Sequence, residues 1–342
     1  MTAPHPLVTR ARSLADGLLA PHAEQVDQEE VPTSHLAEIR RSGLLGLNAP
    51  KEYGGAGAPG AVSRETTEIL AGACCSTWFV QAQHHTPVLT LAGNEGPARE
   101  RLLGPLASGE LLSGVAYAHL RAYPRVPVRV TPERAGWRFD GTVPWYTGWG
   151  LNDVLLLAGV TGTGEVLFAF TEAREQPGLR ASAPLRLAAL GAARTVSLEL
   201  DGLWLPEEAV ALRTPHERWS AADRLRTVNA NPAVFGVTEA ALTLLDEDTA
   251  APLRARLTEV RTRAYALADG PAPHEHLAER LALRTRASEV MRTATTAAVV
   301  TGGGRSMLLT NRAQRLAREA LFLMVQAQTR ESRADHLRSL TD

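Results

Sequence analysis

Three groups of residues in this sequence could carry out chemistry. Trp145 and Thr147 lie two positions apart, which offers an aromatic face for a planar π system and a hydroxyl for its polar edge. His84 and His85 are adjacent, and an imidazole can hold or shuttle a proton near neutral pH. The triplet Gly302-Gly303-Gly304 could let main chain approach an anion, because glycine has no side chain and helix N-termini attract negative charge.

The composition argues against several other kinds of chemistry. The 342-residue chain has 36 Lys and Arg residues against 37 Asp and Glu residues, so its formal charge of -1 provides no global field for nucleic acid or an anionic membrane. The only cysteines, Cys74 and Cys75, are adjacent, which strains a mutual disulfide and offers no metal-ligand spacing. Lys51 is the only lysine, so no Walker loop or Schiff-base lysine exists elsewhere. The sequence therefore predicts no metal site.

The sequence also predicts where in the cell the protein is located. No apolar run is long enough to span a bilayer, and the first residues lack the charged-then-apolar layout of a signal peptide. We therefore expect a cytoplasmic protein without a nucleic-acid or membrane partner.

The elements that must position these residues follow from the periodicity. Apolar residues fall at helical spacing from Leu7 to about Leu106, and again from about Glu217 onward. Between them lie short alternating runs separated by turn signals: Val126–Val130, Trp137–Gly141, Val154–Val160, Val166–Thr171 and Val196–Leu200. The dipeptide Asp140-Gly141 is a hairpin signal. The predicted fold class is α+β, with a helical domain over 1–110, a small antiparallel β domain over 111–213 and a helical domain over 214–342.

A specific glycine-punctuated turn follows the third predicted helix. The run Gly43–Gly57 reads GLLGLNAPKEYGGAG, in which Pro50 prevents the helix from resuming and the glycines supply backbone angles closed to other residues. It resembles the turn between early helices of the acyl-CoA dehydrogenase superfamily of flavoproteins. Helices, β domain and helices are also the order of that fold, so the resemblance extends over the whole chain.

The resemblance implies FAD as the cofactor, bound between the β domain and the last helical domain. Trp145 would pack near the flavin ring, and Thr147 would hydrogen-bond its polar edge. In the run Ala116–Pro124, which departs from the family's pattern, Tyr117 and His119 would alternate onto one strand face at the flavin edge. Gly302-Gly303-Gly304 resembles the turn that approaches the pyrophosphate across a subunit interface, which implies a homodimer or homotetramer.

The same resemblance points to a missing catalytic base. The run Gln314–Glu319 matches the family's Glu-Arg-x-x-Arg-Asp helix, and eight residues past Glu319, where ordinary members carry a catalytic glutamate, this chain has Ala327. The other known placement of the base falls near Arg226. Neither alanine nor arginine can take a proton. The family's adenosine-binding motif also has no counterpart between Ala240 and Ala268.

One branch of the superfamily needs no such base, because its members use reduced flavin and oxygen. Its members often carry a Ser-x-Ala-Trp-x-x-x-x-His motif, which the run Ser76–His85 resembles. In this interpretation His84 or His85 would be the catalytic imidazole beside the flavin. Packing of both histidines against a helix face is the structural alternative.

Three functions therefore stay open. The first is a flavin-dependent oxidoreductase that acts on an acyl thioester or a secondary metabolite without the usual glutamate, with a separate electron acceptor. The second is a two-component monooxygenase, for which a flavin reductase would supply reduced FAD or FMN as a co-substrate. The third is a degenerate member that binds a ligand or partner without catalysis. Fold alone does not decide among them.

Overall fold

The computed structural model describes residues 3–341, and its N-terminal part is helical. Seven α-helices precede the sheet: α1 Pro6–Leu14, α2 Ala20–Gln28, α3 Thr33–Arg41, α4 Gly60–Ala73, α5 Cys75–Gln83, α6 His85–Ala92 and α7 Pro97–Ser108. A π-helical turn over Ala15–Leu19 joins α1 to α2. Within residues 3–341, no helix combines the length and the apolar character that crossing a membrane requires.

An eight-stranded sheet forms the middle of the chain. Its strands are β1 Ser113–Ala116, β2 Val128–Glu133, β3 Gly136–Tyr146, β4 Val154–Thr161, β5 Glu165–Glu172, β6 Leu179–Ala181, β7 Val196–Pro206 and β8 Val210–Pro215. The strand order is β6-β7-β3-β2-β4-β5-β8, and β1 pairs with β4. The pairs β1–β4 and β2–β4 are parallel, whereas the other pairs are antiparallel, so the sheet is not purely antiparallel as predicted. Each run predicted as a strand overlaps one of these strands.

Two local predictions in this region are wrong. The strand expected over Ala116–Pro124 ends at Ala116, and Ala118–Ala122 form a 3-10 turn, so Tyr117 and His119 do not alternate on a strand face. Within this turn, His119 Nε2 hydrogen-bonds the Ala158 carbonyl of β4 at 2.9 Å. The hairpin expected at Asp140-Gly141 is instead a bulge inside β3, where Gly141 has a φ of 128° and β3 continues its pairing with β7.

Helices return after the sheet. They are α8 His216–Thr227, α9 Pro232–Leu242, α10 Glu247–Asp269, α11 Leu277–Gly302, α12 Arg312–Val325 and α13 Arg330–Ser339. The backbone of α9 touches that of α4, because a Cβ added at Gly236 would lie 2.0 Å from the Glu68 carbonyl oxygen. Gly72 faces Gly236 in the same contact. The chain changes from helices to strands near residue 110 and from strands to helices near residue 216. The exact domain bounds stay a prediction.

The turn that resembles the superfamily's early-helix motif has the expected backbone. Helix α3 ends at Arg41, and Gly43 and Gly54 have φ values of 76° and 83°. A Cβ added at Gly46 would lie 2.3 Å from the Ala107 carbonyl oxygen. The glycines therefore let this turn pack closely against the end of α7.

A buried ion cluster ties α12 to the N-terminal helices. Arg315 Nη1 donates to both oxygens of Glu319 at 2.8 and 3.0 Å, and Arg315 Nε donates to Glu24 on α2 at 3.1 Å. Both partners of the first pair are 1% exposed. The Glu319 carboxylate also lies near the main-chain N–H of Cys75 at the N-terminus of α5, a favourable place for negative charge. One cluster thus positions three helices.

Removing Glu319 should destabilise the protein strongly, because Arg315 would keep a buried charge with only its Glu24 partner. We expect Glu319→Ala to lower the free energy of unfolding by about 3–5 kcal/mol. The control is Glu331→Ala, which breaks the exposed Arg224–Glu331 pair at 2.9 Å and should cost less than about 1 kcal/mol. Urea unfolding of both variants measures the difference, and equal losses would contradict the assignment.

Candidate functional site

Two adjoining cavities lie between the sheet and the helices around it. The larger cavity has a volume of about 640 Å³, and its walls include Tyr117, Trp145, Thr147, Thr195, Arg318 and Phe322. The smaller cavity has a volume of about 420 Å³, and its walls include Arg64, Trp78, Arg121, Asp223, Arg226 and Arg284. We call the residues that line both cavities the junction: Phe79, Gln83, Val115, Tyr117, Arg121, Gln326 and Ala327.

The sheet wall of the larger cavity is built where β3 ends and β7 begins. Tyr146 pairs with Val196 at this point, which brings Thr147 beside Thr195. Their hydroxyl oxygens are 3.0 Å apart and buried. Trp145, the second-last residue of β3, is 54% exposed and lines the cavity. The wall therefore combines an aromatic surface with a pair of hydroxyls.

One carboxylate and several guanidinium groups line the smaller cavity. Asp223 accepts from Arg121 Nε and Nη2 at 2.7 and 2.8 Å, and from Arg226 Nη2 at 3.2 Å. The Arg121 and Arg226 guanidinium carbons lie 5.6 and 5.9 Å from the centre of the Tyr117 ring. Within residues 3–341, Asp223 is the one carboxylate on the wall of either cavity. Both of its oxygens are held by arginine.

The segment after α12 brings Ala327 to the junction. Ala327 has a φ of 51°, so the chain turns sharply there. Arg284 Nη2 donates to the Gln326 carbonyl at 3.0 Å, and Asn231 donates to Gln326 Oε1 at 3.1 Å. These bonds fix the segment against α9 and α11. A methyl group, which cannot take a proton, therefore faces both cavities.

Comparisons with known proteins show which chains this one is similar to. Residues 5–110 match the family model described as acyl-CoA dehydrogenase, N-terminal domain. Butyryl-CoA dehydrogenase from Megasphaera elsdenii superposes with a TM-score of 0.82 at 17% identity, over 100% of both chains. The chain therefore has an acyl-CoA dehydrogenase-like fold, and its residues 5–110 match the N-terminal domain of that family.

Relatives within the superfamily include two kinds of enzyme. Bovine short-chain specific acyl-CoA dehydrogenase is 24% identical over 210 residues, which cover 58% of this chain and 50% of that protein. Dibenzothiophene monooxygenase from Rhodococcus erythropolis is 31% identical over 157 residues, covering 45% and 37%. The chain spans about half the length of the curated relatives it matches. A dibenzothiophene monooxygenase structure from Paenibacillus sp. A11-2 also shares the fold, with a TM-score of 0.81 at 17% identity over 98% and 97% of the chains.

The structure brings three of the predicted superfamily site residues together. Tyr117, Trp145 and Thr147 line the larger cavity. His119 does not line it, since its ring points into the sheet toward the Ala158 carbonyl. The cofactor role of these residues stays a prediction.

His84 and His85 do not line either cavity. Both ring nitrogens of His84 bond the main chain, with the Ser113 N–H donating to Nδ1 at 3.0 Å and Nε2 donating to the Leu106 carbonyl at 3.1 Å. His84 therefore joins the end of α7 to the start of β1. His85 Nε2 lies 2.7 Å from the Gln81 side-chain amide. A catalytic role for either imidazole stays a prediction that this geometry does not favour.

The glycine triplet lies away from both cavities. Helix α11 ends at Gly302, and Gly303 has a φ of 57°. A Cβ added at Gly302 would lie 2.1 Å from the Ser306 hydroxyl oxygen, so the chain doubles back tightly here. The triplet is exposed, and its contact with a cofactor stays a prediction.

Sequence reasoning did not single out the arginines of the smaller cavity. Arg284 is 5% exposed and lies on the buried face of α11, among apolar residues such as Leu283 and Ala287. A charged residue on an apolar helix face is the signal that could have revealed it. Thr195 and Phe322 of the larger cavity carry no such signal, because their types are ordinary at a strand edge and on a helix.

Burial of three histidines makes stability depend on pH. Burial lowers the pKa of His84 to about 3, and the pKa values of His85 and His119 to about 4. An unfolded histidine has a pKa of about 6.5, so the unfolded chain binds protons first as the pH falls. Stability is therefore complete above about pH 6.5 and declines toward pH 4, by about 1.4 kcal/mol per pH unit for each histidine.

Urea unfolding between pH 7 and pH 5 measures this slope. His119→Gln should make the slope shallower, because it removes one of the histidines with a lowered pKa, which also include His35 and His336. His274→Gln is the matched control, since that imidazole is exposed in the loop between α10 and α11. A slope unchanged by His119→Gln would mean that His119 is protonated in the folded chain.

Proposed function

We propose that the protein is a flavin-dependent oxidoreductase that binds the flavin ring in the larger cavity and the reacting end of its substrate in the smaller one. The observation that carries this proposal is the junction, where residues such as Tyr117 and Ala327 face both spaces. Ring and substrate could meet there. The proposed substrate is an acyl thioester or a secondary metabolite.

The walls of the larger cavity fit a flavin ring. Trp145 offers a half-exposed aromatic surface, and Tyr117 offers a second one across the cavity. Only one of the paired hydroxyls of Thr147 and Thr195 can donate to the other, which leaves one hydroxyl able to donate to a ligand. Bound FAD, the proposed cofactor, would supply two-electron redox chemistry. Arg318 also lines this wall, where its guanidinium is paired with Asp27.

The chain's own residues offer no strong proton acceptor at the junction. Ala327 has only a methyl group, and Arg226 stays protonated. Both oxygens of Asp223 accept hydrogen bonds from arginine, so this carboxylate is already occupied by protein donors. We therefore propose that this protein has lost the ordinary abstraction of an α proton from a fatty acyl thioester.

A second candidate is a two-component monooxygenase. The 31% identity to dibenzothiophene monooxygenase over 157 residues favours it. The lack of a free carboxylate on the walls of the two cavities within residues 3–341 also favours a reaction that needs no carboxylate base. In this version a flavin reductase supplies reduced FAD or FMN. The colour of the purified protein separates these candidates: stoichiometric bound flavin supports the first, and a colourless protein that binds reduced flavin supports the second. Affinity for neither would favour a non-catalytic binding protein.

We also propose that the chain forms a homodimer or homotetramer. Apolar side chains around the glycine triplet are more than half exposed, with Val300 at 73%, Met307 at 64% and Leu308 at 60%. Contiguous exposed apolar surface favours contact with another protein. In such an assembly Gly302-Gly303-Gly304 would face a neighbouring subunit, where it could approach a cofactor's pyrophosphate. Sedimentation analysis of the purified chain tests the assembly.

Replacing Thr147 by Val should weaken flavin binding while the fold is kept, because the change removes a hydroxyl at nearly constant volume. One neutral hydrogen bond contributes about 0.5–1.5 kcal/mol, so the flavin Kd should rise by about 2- to 12-fold. Titration of the apoprotein with FAD measures this change. The control is Thr163→Val in the exposed turn between β4 and β5, and equal affinities for both variants would count against the assignment.

Ala327→Glu should restore a base at the junction. The unmodified protein should turn over butyryl-CoA slowly, because a general base contributes about 10²–10⁴-fold. We expect Ala327→Glu to raise this rate in an assay with an artificial electron acceptor. Ala327→Gln is the matched control, since it has the same size and cannot take a proton. Robust turnover by the unmodified protein would place the base on another residue.

A further inference from the structure

The smaller cavity carries an excess of positive charge. Three of the guanidinium groups that line it belong to Arg121, Arg226 and Arg284, and the one lining carboxylate within residues 3–341 is that of Asp223. Asp223 shares its two oxygens between Arg121 and Arg226. One negative charge therefore faces three positive charges. Charges taken out of water are costly unless they are paired, so this arrangement favours an added anion.

Arg284 is the clearest case of incomplete pairing. It is 5% exposed, and its hydrogen bonds go to two main-chain oxygens, the Thr227 carbonyl at 2.5 Å and the Gln326 carbonyl at 3.0 Å. Within residues 3–341, no carboxylate lies within 4.0 Å of its guanidinium. Burial and the nearby charge of Arg121 lower the pKa of Arg284 to about 10. Its guanidinium keeps further N–H donors for a ligand.

The other buried arginines of the helical domains are satisfied differently. Arg315 pairs with the carboxylates of Glu319 and Glu24. Arg280, one turn before Arg284, donates from all three nitrogens to protein oxygens, including the Leu267 carbonyl and Asn229 Oδ1 at 2.8 Å. Neither Arg315 nor Arg280 lines the smaller cavity. Arg284 is thus the incompletely paired cation that faces open space.

A fourth guanidinium, that of Arg64, also lines the cavity. Arg64 lies over the Tyr265 ring at 4.7 Å and pairs with Asp269 at 2.5 Å. Its Nε is buried without a hydrogen-bond partner. Apolar side chains such as Trp78 and Phe79 line the same cavity. The cavity thus combines apolar side chains with guanidinium groups.

We propose that the smaller cavity binds a carboxylate on the substrate, so that the substrate is an acyl compound with a second, anionic end. That the substrate is an acyl compound rests on the proposed function. That it carries an anionic group rests on the arginines alone. Arg284 and Arg226 supply the N–H donors to the carboxylate. Asp223 is a positioning residue, because its bidentate contact fixes the Arg121 guanidinium and leaves the outer side of Arg226 free. Arg226 keeps 54% of its side chain exposed for that contact.

Binding of short dicarboxylates tests this proposal without any need for turnover. We expect succinate or glutarate to bind to the purified full chain in calorimetry, and their neutral diamides to bind at least tenfold more weakly. Arg226→Gln and Arg284→Gln should each weaken dicarboxylate binding by about tenfold or more, as expected for a charge-assisted contact. Arg224→Gln is the matched control, because Arg224 lies on the same helix, is exposed and lines neither cavity.

Each outcome bears on the proposal. Diamides that bind as well as the acids, or an Arg284→Gln variant with unchanged affinity and unchanged urea unfolding, would overturn it. Inorganic phosphate that binds more tightly than the dicarboxylates would overturn the assignment to a carboxylate. A chain that binds dicarboxylates in an arginine-dependent manner but binds no flavin would refute the proposed oxidoreductase function and leave this inference standing.

Discussion

The buried pair between Arg315 and Glu319 is the interaction on which the rest of the site depends. Its carboxylate sits at the N-terminus of α5, and its guanidinium reaches Glu24 on α2. Two charges at this depth are tolerated only because each is hydrogen-bonded several times. The pair fixes the direction of α12, and therefore the place where the chain leaves that helix. Gln326 and Ala327 follow within a few residues, at the junction of the two cavities.

The junction then combines two opposite electrostatic situations. At Ala327 the wall is neutral and cannot exchange a proton. On the wall of the smaller cavity, Arg121 and Arg226 hold the Asp223 carboxylate, and Arg284 bonds only main-chain carbonyls. Superfamily chemistry that begins with proton abstraction needs a free carboxylate, and here the only lining carboxylate within residues 3–341 is neutralised by arginine. The same cavity is therefore poorly suited to deprotonating a substrate and well suited to holding an anionic one.

Close backbone contacts position the walls of these cavities. Gly72 and Gly236 bring α4 against α9, and the turn after α3 packs on α7 through Gly46. A side chain at these positions would separate the helices by the width of a methyl group or more. Because α9 begins with the cavity residue Pro232, a shift of α9 away from α4 would change the shape of the smaller cavity. These glycines therefore help to position the site, although they line neither cavity.

The sequence by itself determined the order of elements and the turn at Gly43–Gly57, since apolar periodicity and glycine placement are local properties. It also placed Trp145 and Thr147 two residues apart at the end of a strand. Only the tertiary structure decided the surroundings of the histidines. The His84 ring bonds the main chain at Leu106 and Ser113, and the His119 ring bonds the Ala158 carbonyl from a 3-10 turn. The meeting of Arg121, Arg226 and Arg284 was likewise undetermined, because three elements distant in sequence converge there and no local pattern encodes such long-range contacts.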